Sequence, residues 1–338
     1  MAMTIYDISE KAGVSIATVS RVLNGSENVR PSTRKKVMDV IDKYDYTPNA
    51  FARGMGLHSL KTIGILCADS SDLFLAKAVY FLEQELQANG YESLLCCTGY
   101  NPDIKKNYLN LILSKKVDSI ILVGSHFIGF NEDENQYIKD VSTQVPIMLL
   151  NASFDHPNVY STLCDDYGTM FEAATEMIQS GITDILYLYD SKSYSGLKKL
   201  HGFCDAMKEY NIPGFEKLIH FYDGNIEHLD EVADFVAHIA KKGTPFHGIM
   251  TSDDSLAIGS IKYAQKKWIR IPEELSVMGY NNSMLTNCCT PELTSVDNRL
   301  ETQTHQLVQT LLGVLAGEEM PKKSIFSGKI IKRGTTLF

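Results

Sequence analysis

The chain has little of what marks membrane, exported or zinc-binding proteins. It contains seven cysteines and one tryptophan, and no two cysteines have the Cys-x-x-Cys spacing. We therefore expect reduced thiols, with neither a disulfide framework nor a metal site. No apolar run approaches the roughly 20 residues that cross a bilayer. Residues 1–7 include neither a basic leader nor an apolar stretch, which predicts a cytoplasmic protein without membrane contact.

Positive charge is also scarce, but it is unevenly distributed. The formal net charge is −9, yet residues 1–60 carry eight Lys and Arg against six Asp and Glu. The rest of the chain is therefore strongly acidic. A basic segment in an acidic protein favours a nucleic-acid contact at that segment alone.

Start signals predict three short helices within residues 1–45. Thr4 and Asp7 have the spacing of a capping box, Ser15 is placed to cap a second helix, and Pro31 suits the first turn of a third. Gly13 provides a tight corner between the first two. The expected inner faces are Ile5, Ile8 and Ala12 in the first helix, Val19 and Val22 in the second, and Val37, Val40 and Ile41 in the third.

This arrangement is typical of a helix-turn-helix, with the second helix in the major groove. Burial of its two valines turns the opposite face outward, and that face comprises Ile16, Ala17, Ser20 and Arg21. Arg21 is the long donor among them and suits guanine, whereas Ile16 and Ala17 offer apolar contact. Candidate phosphate ligands are Ser15, Thr18, Asn24 and Thr33. A miniature helical core without a DNA role would need similar residues and remains the alternative.

From residue 62 onward, short apolar runs alternate with longer amphipathic ones, which predicts βα units and a parallel sheet. Candidate strands are residues 63–67, 93–97, 119–123, 147–150, 185–189, 248–251 and 276–279. Candidate helices are residues 74–89, 105–114, 169–180, 197–210, 229–241 and 255–267.

A long motif occupies the front of the chain. It is Gly-Val-Ser-x-x-Thr-Val-Ser-Arg-Val-Leu-Asn at residues 13–24, continued by Tyr-x-Pro-Asn-Ala-x-Ala-Arg at 46–53. This motif resembles that of the LacI family. Later landmarks include Ile271-Pro272 and Ile331-Lys-Arg333-Gly-Thr335, so the resemblance covers nearly the whole chain. It implies a small all-α helix-turn-helix headpiece plus an α/β periplasmic-binding-protein-like sensor of two Rossmann-like lobes.

The resemblance also implies domain bounds and a dimeric assembly. Residues 1–45 would bind DNA, 46–60 would form a hinge helix and linker, and 61–338 would bind the effector and dimerise. Lobe 1 would comprise about 61–160 and 293–325, and lobe 2 about 161–292 and 326–338. A homodimer on a roughly palindromic, double-stranded operator is expected.

Further DNA contacts follow from the resemblance at Thr4, Tyr6, Val29, Asn49, Ala52 and Arg53. Met55 stands where the family inserts a leucine wedge into the minor groove. Gly54 and Gly56 each cost about 1 kcal/mol in a helix, so the hinge should be unfolded without DNA.

The family's effector contacts fall on a mixed set of polar and apolar positions. These positions are Phe74, Leu75, Ser125, Asn151, Leu163, Ser193, Tyr194, Ser195, Lys199, Ser252, Asp253, Asn281 and Asn298. Lys199 replaces a common arginine and loses its bidentate fork, and Asn281 replaces a common aspartate. Gly224 replaces a common aromatic residue, for which Phe221, Tyr222 and Tyr194 are candidate substitutes. Asp253 alternatively serves only to cap a helix.

The amide, hydroxyl and aromatic side chains at these positions suit a neutral carbohydrate, which could be an oligosaccharide. The predicted function is a ligand-responsive repressor of carbohydrate uptake or catabolism genes. There are two alternatives. The same fold could sense a nucleobase or another small metabolite, or the chain could be a sugar-binding protein without a regulatory role. No Gly-x-Ser-x-Gly, phosphate-binding loop or His-Glu-x-x-His motif occurs, so neither an enzyme nor a cofactor is expected.

Overall fold

The computed structural model of the chain describes residues 3–23, 26, 28–44, 46, 59–243 and 245–338. A helical headpiece occupies the described residues up to 46, and an α/β part begins at residue 59. The headpiece helices are α1 (Ile5–Ala12), α2 (Ile16–Leu23) and α3 (Pro31–Lys43). The predicted combination of an all-α headpiece and an α/β sensor is confirmed.

The predicted helix starts in the headpiece are also correct. Thr4 and Asp7 form a reciprocal capping box at the start of α1, and Pro31 is the first residue of α3. The Thr18 backbone N–H donates to Ser15 Oγ at 3.2 Å. Side-chain acceptors at the starts of α1 and α2 satisfy amide groups of the first turn, whereas α3 starts at its proline without a side-chain cap.

Apolar side chains from all three helices meet in one small core. Ile8, Val19 and Val37 have no exposed surface, whereas Ile5 and Val40 are only partly buried. The inner faces predicted from helical periodicity are therefore correct, apart from looser packing at these two positions.

Lobe 1 contains a parallel sheet with the strand order β11-β5-β4-β3-β1-β2. Its strands are β1 (Thr62–Cys67), β2 (Glu92–Cys97), β3 (Ser119–Val123), β4 (Ile147–Leu150), β5 (Val159–Cys164) and β11 (Lys323–Phe326). The helices that accompany them are α4 (Leu73–Ala88), α5 (Pro102–Ser114), α6 (Gln136–Ser142) and α11 (Leu300–Leu315). The central strands are apolar because helices cover both faces of the sheet.

Lobe 2 contains a second sheet with the order β12-β10-β9-β8-β6-β7, in which β12 alone of the described strands runs antiparallel. Its strands are β6 (Ile185–Tyr189), β7 (Ile219–Phe221), β8 (Gly248–Thr251), β9 (Ser276–Tyr280), β10 (Thr294–Asp297) and β12 (Lys329–Ile331). Its helices are α7 (Asp166–Gln179), α8 (Tyr194–Glu209), α9 (Leu229–Lys241) and α10 (Asp254–Lys266).

The chain crosses between the lobes at different residues from those expected. β5 lies wholly in the lobe 1 sheet, so the first crossing follows Cys164 instead of residue 160. β10 pairs with β9 in lobe 2, so lobe 2 extends to residue 297 and not 292. The sequence analysis missed β5 because its polar Ser161 and Thr162 interrupt the apolar run.

Helix starts in the α/β part lie one to three residues earlier than predicted for five helices. Each of these helices begins directly after a residue whose side chain accepts a hydrogen bond from a backbone N–H of the first turn. The capping residues are Asp72 for α4, Asn101 for α5, Asp165 for α7, Ser193 for α8 and Asp253 for α10. At these starts capping outweighs apolar periodicity in deciding where the helix begins.

Candidate DNA interface and effector cleft

Helix α2 presents a solvent-facing surface opposite its buried valines. Val19 is 0% and Val22 is 4% exposed, while Ile16 is 40% exposed and Ala17 and Arg21 also face solvent. Ser20 is half-buried. The face predicted to enter a major groove is thus accessible, and Arg21 is the long cationic side chain on it.

The corner between α1 and α2 holds that surface in position. Gly13 has a φ of +61° and ends α1 in a left-handed conformation that favours glycine. Ser9 Oγ donates to the Val14 carbonyl at 2.7 Å, so a small polar side chain closes the turn. The orientation of α2 therefore follows from short-range contacts within residues 9–14.

Arg34 reaches the opposite end of α2. Its guanidinium donates to the Val22 carbonyl at 3.5 Å and to the Ser26 carbonyl. These bonds satisfy carbonyls at and beyond the last turn of α2, where cations are favoured. Arg34 therefore supports the helix, a role that the sequence analysis did not assign to it.

The other predicted DNA contacts differ in accessibility. Tyr6 is 68% exposed, whereas Val29 is 9% exposed and packs in the headpiece core instead of facing outward. Ser15 and Thr18 share a hydroxyl contact of 2.9 Å at an exposed position. Thr33 is half-buried in the first turn of α3, and Thr4 is exposed. Asn24, Asn49, Ala52, Arg53 and Met55 lie outside the described residues.

Most of the predicted effector contacts meet between the lobes. A cavity of about 90 Å³ lies there, near the carboxyl ends of the parallel strands. Its lining includes ten of the predicted residues: Phe74, Leu75, Ser125, Asn151, Ser193, Ser195, Lys199, Ser252, Asp253 and Asn281. Leu163, Tyr194 and Asn298 do not line it. We call this space the cleft.

Two serines join the lobes across the cleft. Ser125 follows β3 in lobe 1, Ser193 caps α8 in lobe 2, and their hydroxyl oxygens lie 2.8 Å apart. Ser191 Oγ also donates to Ser193 Oγ at 2.8 Å. The lobes are therefore in contact, which accounts for the small volume of the cleft.

Lys199 is buried at the back of the cleft. Its ammonium group donates to the Ser252 carbonyl at 3.0 Å and lies 3.9 Å from the centre of the Tyr280 ring. Asp166 accepts hydrogen bonds from Ser195 Oγ at 2.5 Å and from Tyr280 Oη at 2.7 Å. Burial raises the pKa of Asp166, and the charge of Lys199 opposes that rise. These groups form a buried polar network.

Asp253 both caps α10 and faces the cleft. It accepts from the Ser255 backbone N–H at 2.7 Å and from Asn281 Nδ2 at 2.8 Å. Asn298 Nδ2 donates in turn to Asn281 Oδ1 at 3.1 Å, behind the cleft. Burial, followed by the negative charges of Asp190 and Asp254, raises the pKa of Asp253 to about 7. Capping is therefore one of its roles, and its position in the cleft allows a second.

None of the three aromatic residues proposed to compensate for Gly224, Phe221, Tyr222 and Tyr194, lines the cleft. Tyr222 is 6% exposed and packs edge-on against Phe235, and its hydroxyl occupies the space that a residue 224 side chain would need. Phe221 packs edge-on against Tyr189. Phe74 and Tyr100 of lobe 1 are aromatic residues that line the cleft, and Tyr100 is 52% exposed.

The sequence analysis missed several cleft residues besides Tyr100. These are Asp72, His126, Asp190, Ser191 and Ile226. Asp190 directly follows β6, so the rule that ligands bind at strand ends would have found it. Asp72 caps α4 through a 2.7 Å bond from the Leu75 backbone N–H, and burial together with Asp190 raises its pKa. Nothing in the local sequence marks Tyr100.

Two family models match separate parts of the chain. The model for bacterial regulatory proteins of the lacI family matches residues 4–49, and that for a periplasmic binding protein-like domain matches residues 174–336. An HTH-type transcriptional regulator from Lachnoclostridium phytofermentans is 49% identical and covers 99% of this chain and 100% of its own. The chain belongs to the LacI family.

Solved structures agree with this LacI-family assignment. The crystal structure of the lac repressor dimer bound to operator and the anti-inducer ONPF covers 100% of both chains, with a TM-score of 0.88 and 20% identity. A complex of the transcriptional regulator CelR with cellobiose covers 98% of this chain and 99% of its own, with a TM-score of 0.70 and 20% identity. At these identities the likeness establishes the fold.

As a LacI-family member, the chain is a DNA-binding transcriptional regulator and not an enzyme. Its resemblance to this family, first noted in the headpiece motif, is confirmed. Within the described residues, no helix has the length and apolar character needed to span a bilayer.

Proposed function

We propose that this LacI-family regulator represses genes for carbohydrate uptake or catabolism. It binds a roughly palindromic operator as a homodimer in the cytoplasm, and a sugar or oligosaccharide in the cleft changes its affinity for DNA. The observation that carries the proposal is the cleft itself, in which hydroxyl, amide and carboxylate groups from both lobes converge on one small space.

The chemistry of the cleft supports a carbohydrate. Asp190 Oδ1 accepts from Ser252 Oγ at 2.7 Å and Asp253 accepts from Asn281, so the wall is an ordered set of donors and acceptors. Sugar hydroxyls both donate and accept, and they can pair with carboxylates, amides and serine hydroxyls alike. The CelR structure with cellobiose offers a precedent within the same fold.

An exposed apolar edge supports self-association. β2 is an edge strand of the lobe 1 sheet, and its Leu94 and Leu95 are 38% and 45% exposed. Exposed edge strands with apolar side chains are surfaces that proteins cover. A second copy of the chain on this edge would bury them.

Coupling between the sites follows from the two-lobed fold. A ligand that favours one spacing of the lobes shifts the population of that spacing and changes how the two headpieces of a dimer approach DNA. The sign of the effect depends on which spacing the ligand binds better.

Fluorescence anisotropy tests the proposal. A labelled palindromic duplex, selected from random sequence with the intact chain, should bind with an affinity that falls steeply as salt increases. A neutral sugar should then shift the protein concentration at which half of the labelled duplex is bound. Binding without salt dependence, or undiminished binding after removal of residues 1–60, would refute DNA recognition by the headpiece. Loss of the sugar effect alone would refute carbohydrate sensing.

A further inference from the structure

The cleft continues into a longer groove. Two larger cavities, of about 710 and 480 Å³, adjoin it. All three spaces are lined by the same four residues, Tyr100, His126, Asp190 and Ser191. The larger cavities each have a volume typical of ligand sites, whereas the cleft between the closed lobes is smaller. We call the three spaces together the groove.

Acidic side chains in the lining of the groove outnumber lysines and arginines, six to three. Asp72 lines two of its three spaces, Asp190 from the opposite lobe lines all three, and Asp69 lines the largest. In the described part of the chain, no lysine or arginine forms an ion pair with Asp72, Asp190 or Asp253. A phosphate or carboxylate on the ligand would meet these carboxylates at close range, which is unfavourable.

Three lysines in the lining only partly offset this charge: Lys105 and Lys199 are buried, and Lys192 is exposed in the 480 Å³ space. Lys199 donates to the Ser252 carbonyl, and Lys105 is buried and donates to the His126 carbonyl at 2.6 Å. Lys192 lies 4.7 Å from the centre of the Phe221 ring. The wall of the groove therefore favours ligands that present hydrogen-bond donors and carry no negative charge.

Tyr100 supplies an apolar ring face beside these acceptors. It is 52% exposed, and the edge-on ring of His126 lies 4.8 Å from it, centre to centre. The next residue, Asn101, caps α5 by accepting from the Asp103 and Ile104 backbone N–H groups. The ring is thus held at the start of a helix, and an ordered aromatic face beside polar groups is suited to the apolar face of a sugar ring.

We propose that the groove binds an uncharged oligosaccharide, with one ring in the cleft and a further ring stacked on Tyr100. The inference rests on the proposed function, that a carbohydrate is the effector, and specifies its length and charge. A single ring fills only one of the three connected spaces. The acceptors that favour hydroxyls disfavour uronic acids and sugar phosphates.

Calorimetric titration of the intact chain tests length and charge together. The probes are glucose, xylose, mannose and galactose, the β-1,4-linked trisaccharide of each, trigalacturonic acid and glucose 6-phosphate. At least one neutral trisaccharide should bind at least about tenfold more tightly than its monosaccharide, and the two anionic probes should bind more weakly than that trisaccharide. Tightest binding by a monosaccharide or by an anionic probe would overturn the inference.

Matched variants locate the second ring. Tyr100→Ala should reduce the ratio of trisaccharide to monosaccharide affinity to within about threefold, and Tyr100→Phe should preserve it. Trp268→Ala removes another exposed aromatic residue, 92% exposed and outside the groove, and should leave the ratio unchanged. An unchanged ratio in Tyr100→Ala would contradict the stacking role.

Measurements of operator binding distinguish a failure of the extended groove from a failure of carbohydrate sensing. If only monosaccharides shift the anisotropy of the labelled operator, carbohydrate sensing stands and the extended groove is refuted. If no probe binds or shifts the anisotropy, both are refuted. A neutral trisaccharide that binds and shifts the anisotropy supports both.

Discussion

Ser125 and Ser193 connect the two lobes through hydroxyl oxygens 2.8 Å apart. Ser125 follows a strand of lobe 1 and Ser193 starts a helix of lobe 2, so movement of the lobes changes this distance directly. A sugar hydroxyl entering the cleft would compete for the same oxygens. The contact is therefore well placed to link occupation of the cleft to the spacing of the lobes.

Ser125→Ala should favour the open lobes, because it removes the direct bond and leaves the capping role of Ser193 intact. We expect the free energy that favours the closed arrangement of the lobes to decrease by about 0.5–1.5 kcal/mol. Small-angle X-ray scattering of the ligand-free protein should show a larger radius of gyration. Ser114→Ala, which removes an exposed hydroxyl that donates to the Leu111 carbonyl at 2.6 Å, is the control. Scattering identical to the unaltered chain would argue against the role of Ser125.

Arg21→Ala should weaken binding to the best operator by about 1–3 kcal/mol and flatten the preference at one position in each half-site. Arg21 is the long donor on the outward face of α2, and such a side chain discriminates guanine from other bases. Anisotropy against a set of single-base operator variants measures both effects. Arg270→Ala, a surface arginine of lobe 2 paired with Glu274, is the matched control. Equal losses on every sequence would rule out base recognition.

Arg34→Ala should act differently, by destabilising the end of α2. We expect a loss of about 1–3 kcal/mol in headpiece stability, since carbonyls of Val22 and Ser26 lose a charged donor. Hydrogen exchange of the α2 amides should accelerate, and operator binding should fall on all sequences alike. Arg34→Lys keeps the charge but loses the two-pronged guanidinium donor. Its headpiece stability should therefore lie between those of the unaltered chain and Arg34→Ala. Altered base preference with unchanged exchange would contradict this assignment.

Asp253→Asn should remove part of the pH dependence of stability. Burial and the neighbouring acids raise the pKa of Asp253 to about 7 from 3.8, so the folded state binds more protons than the unfolded state between these values. The free energy of unfolding therefore falls as pH rises from about 4 to about 7, by on the order of a few kcal/mol. Asparagine can still cap α10.

Thermal unfolding from pH 4 to 8 tests this prediction. The stability of Asp253→Asn relative to the unaltered chain should increase as pH rises through that window and level off above it. Asp223→Asn, at an exposed loop position, serves as the control. A difference that stays constant across the window would show that Asp253 does not titrate as described.

Local patterns predicted the headpiece closely because its determinants are short-range. The capping box at Thr4 and the corner at Gly13 each depend on residues a few positions apart, and the spacing of Val19 and Val22 places both on one face of α2. The α/β part was harder to delimit. β5 contains Ser161 and Thr162, which are buried at 4% and 1% exposure in the sheet yet read as polar in sequence.

The sequence by itself determined the three headpiece helices, the alternation of strands and helices after residue 62, the family and the outward face of α2, since capping, periodicity and motif spacing act along the chain. It left β5, β7, β10, β11 and β12 unassigned. Only the tertiary structure decided which side chains meet at the cleft. Asp72, Tyr100 and Asp190 are far apart in sequence and converge because the two sheets direct their strand ends toward one space. Tyr222 lies close to Gly224 in sequence but packs into the core against Phe235. Side-chain direction depends on packing between elements, and packing is not encoded in local spacing.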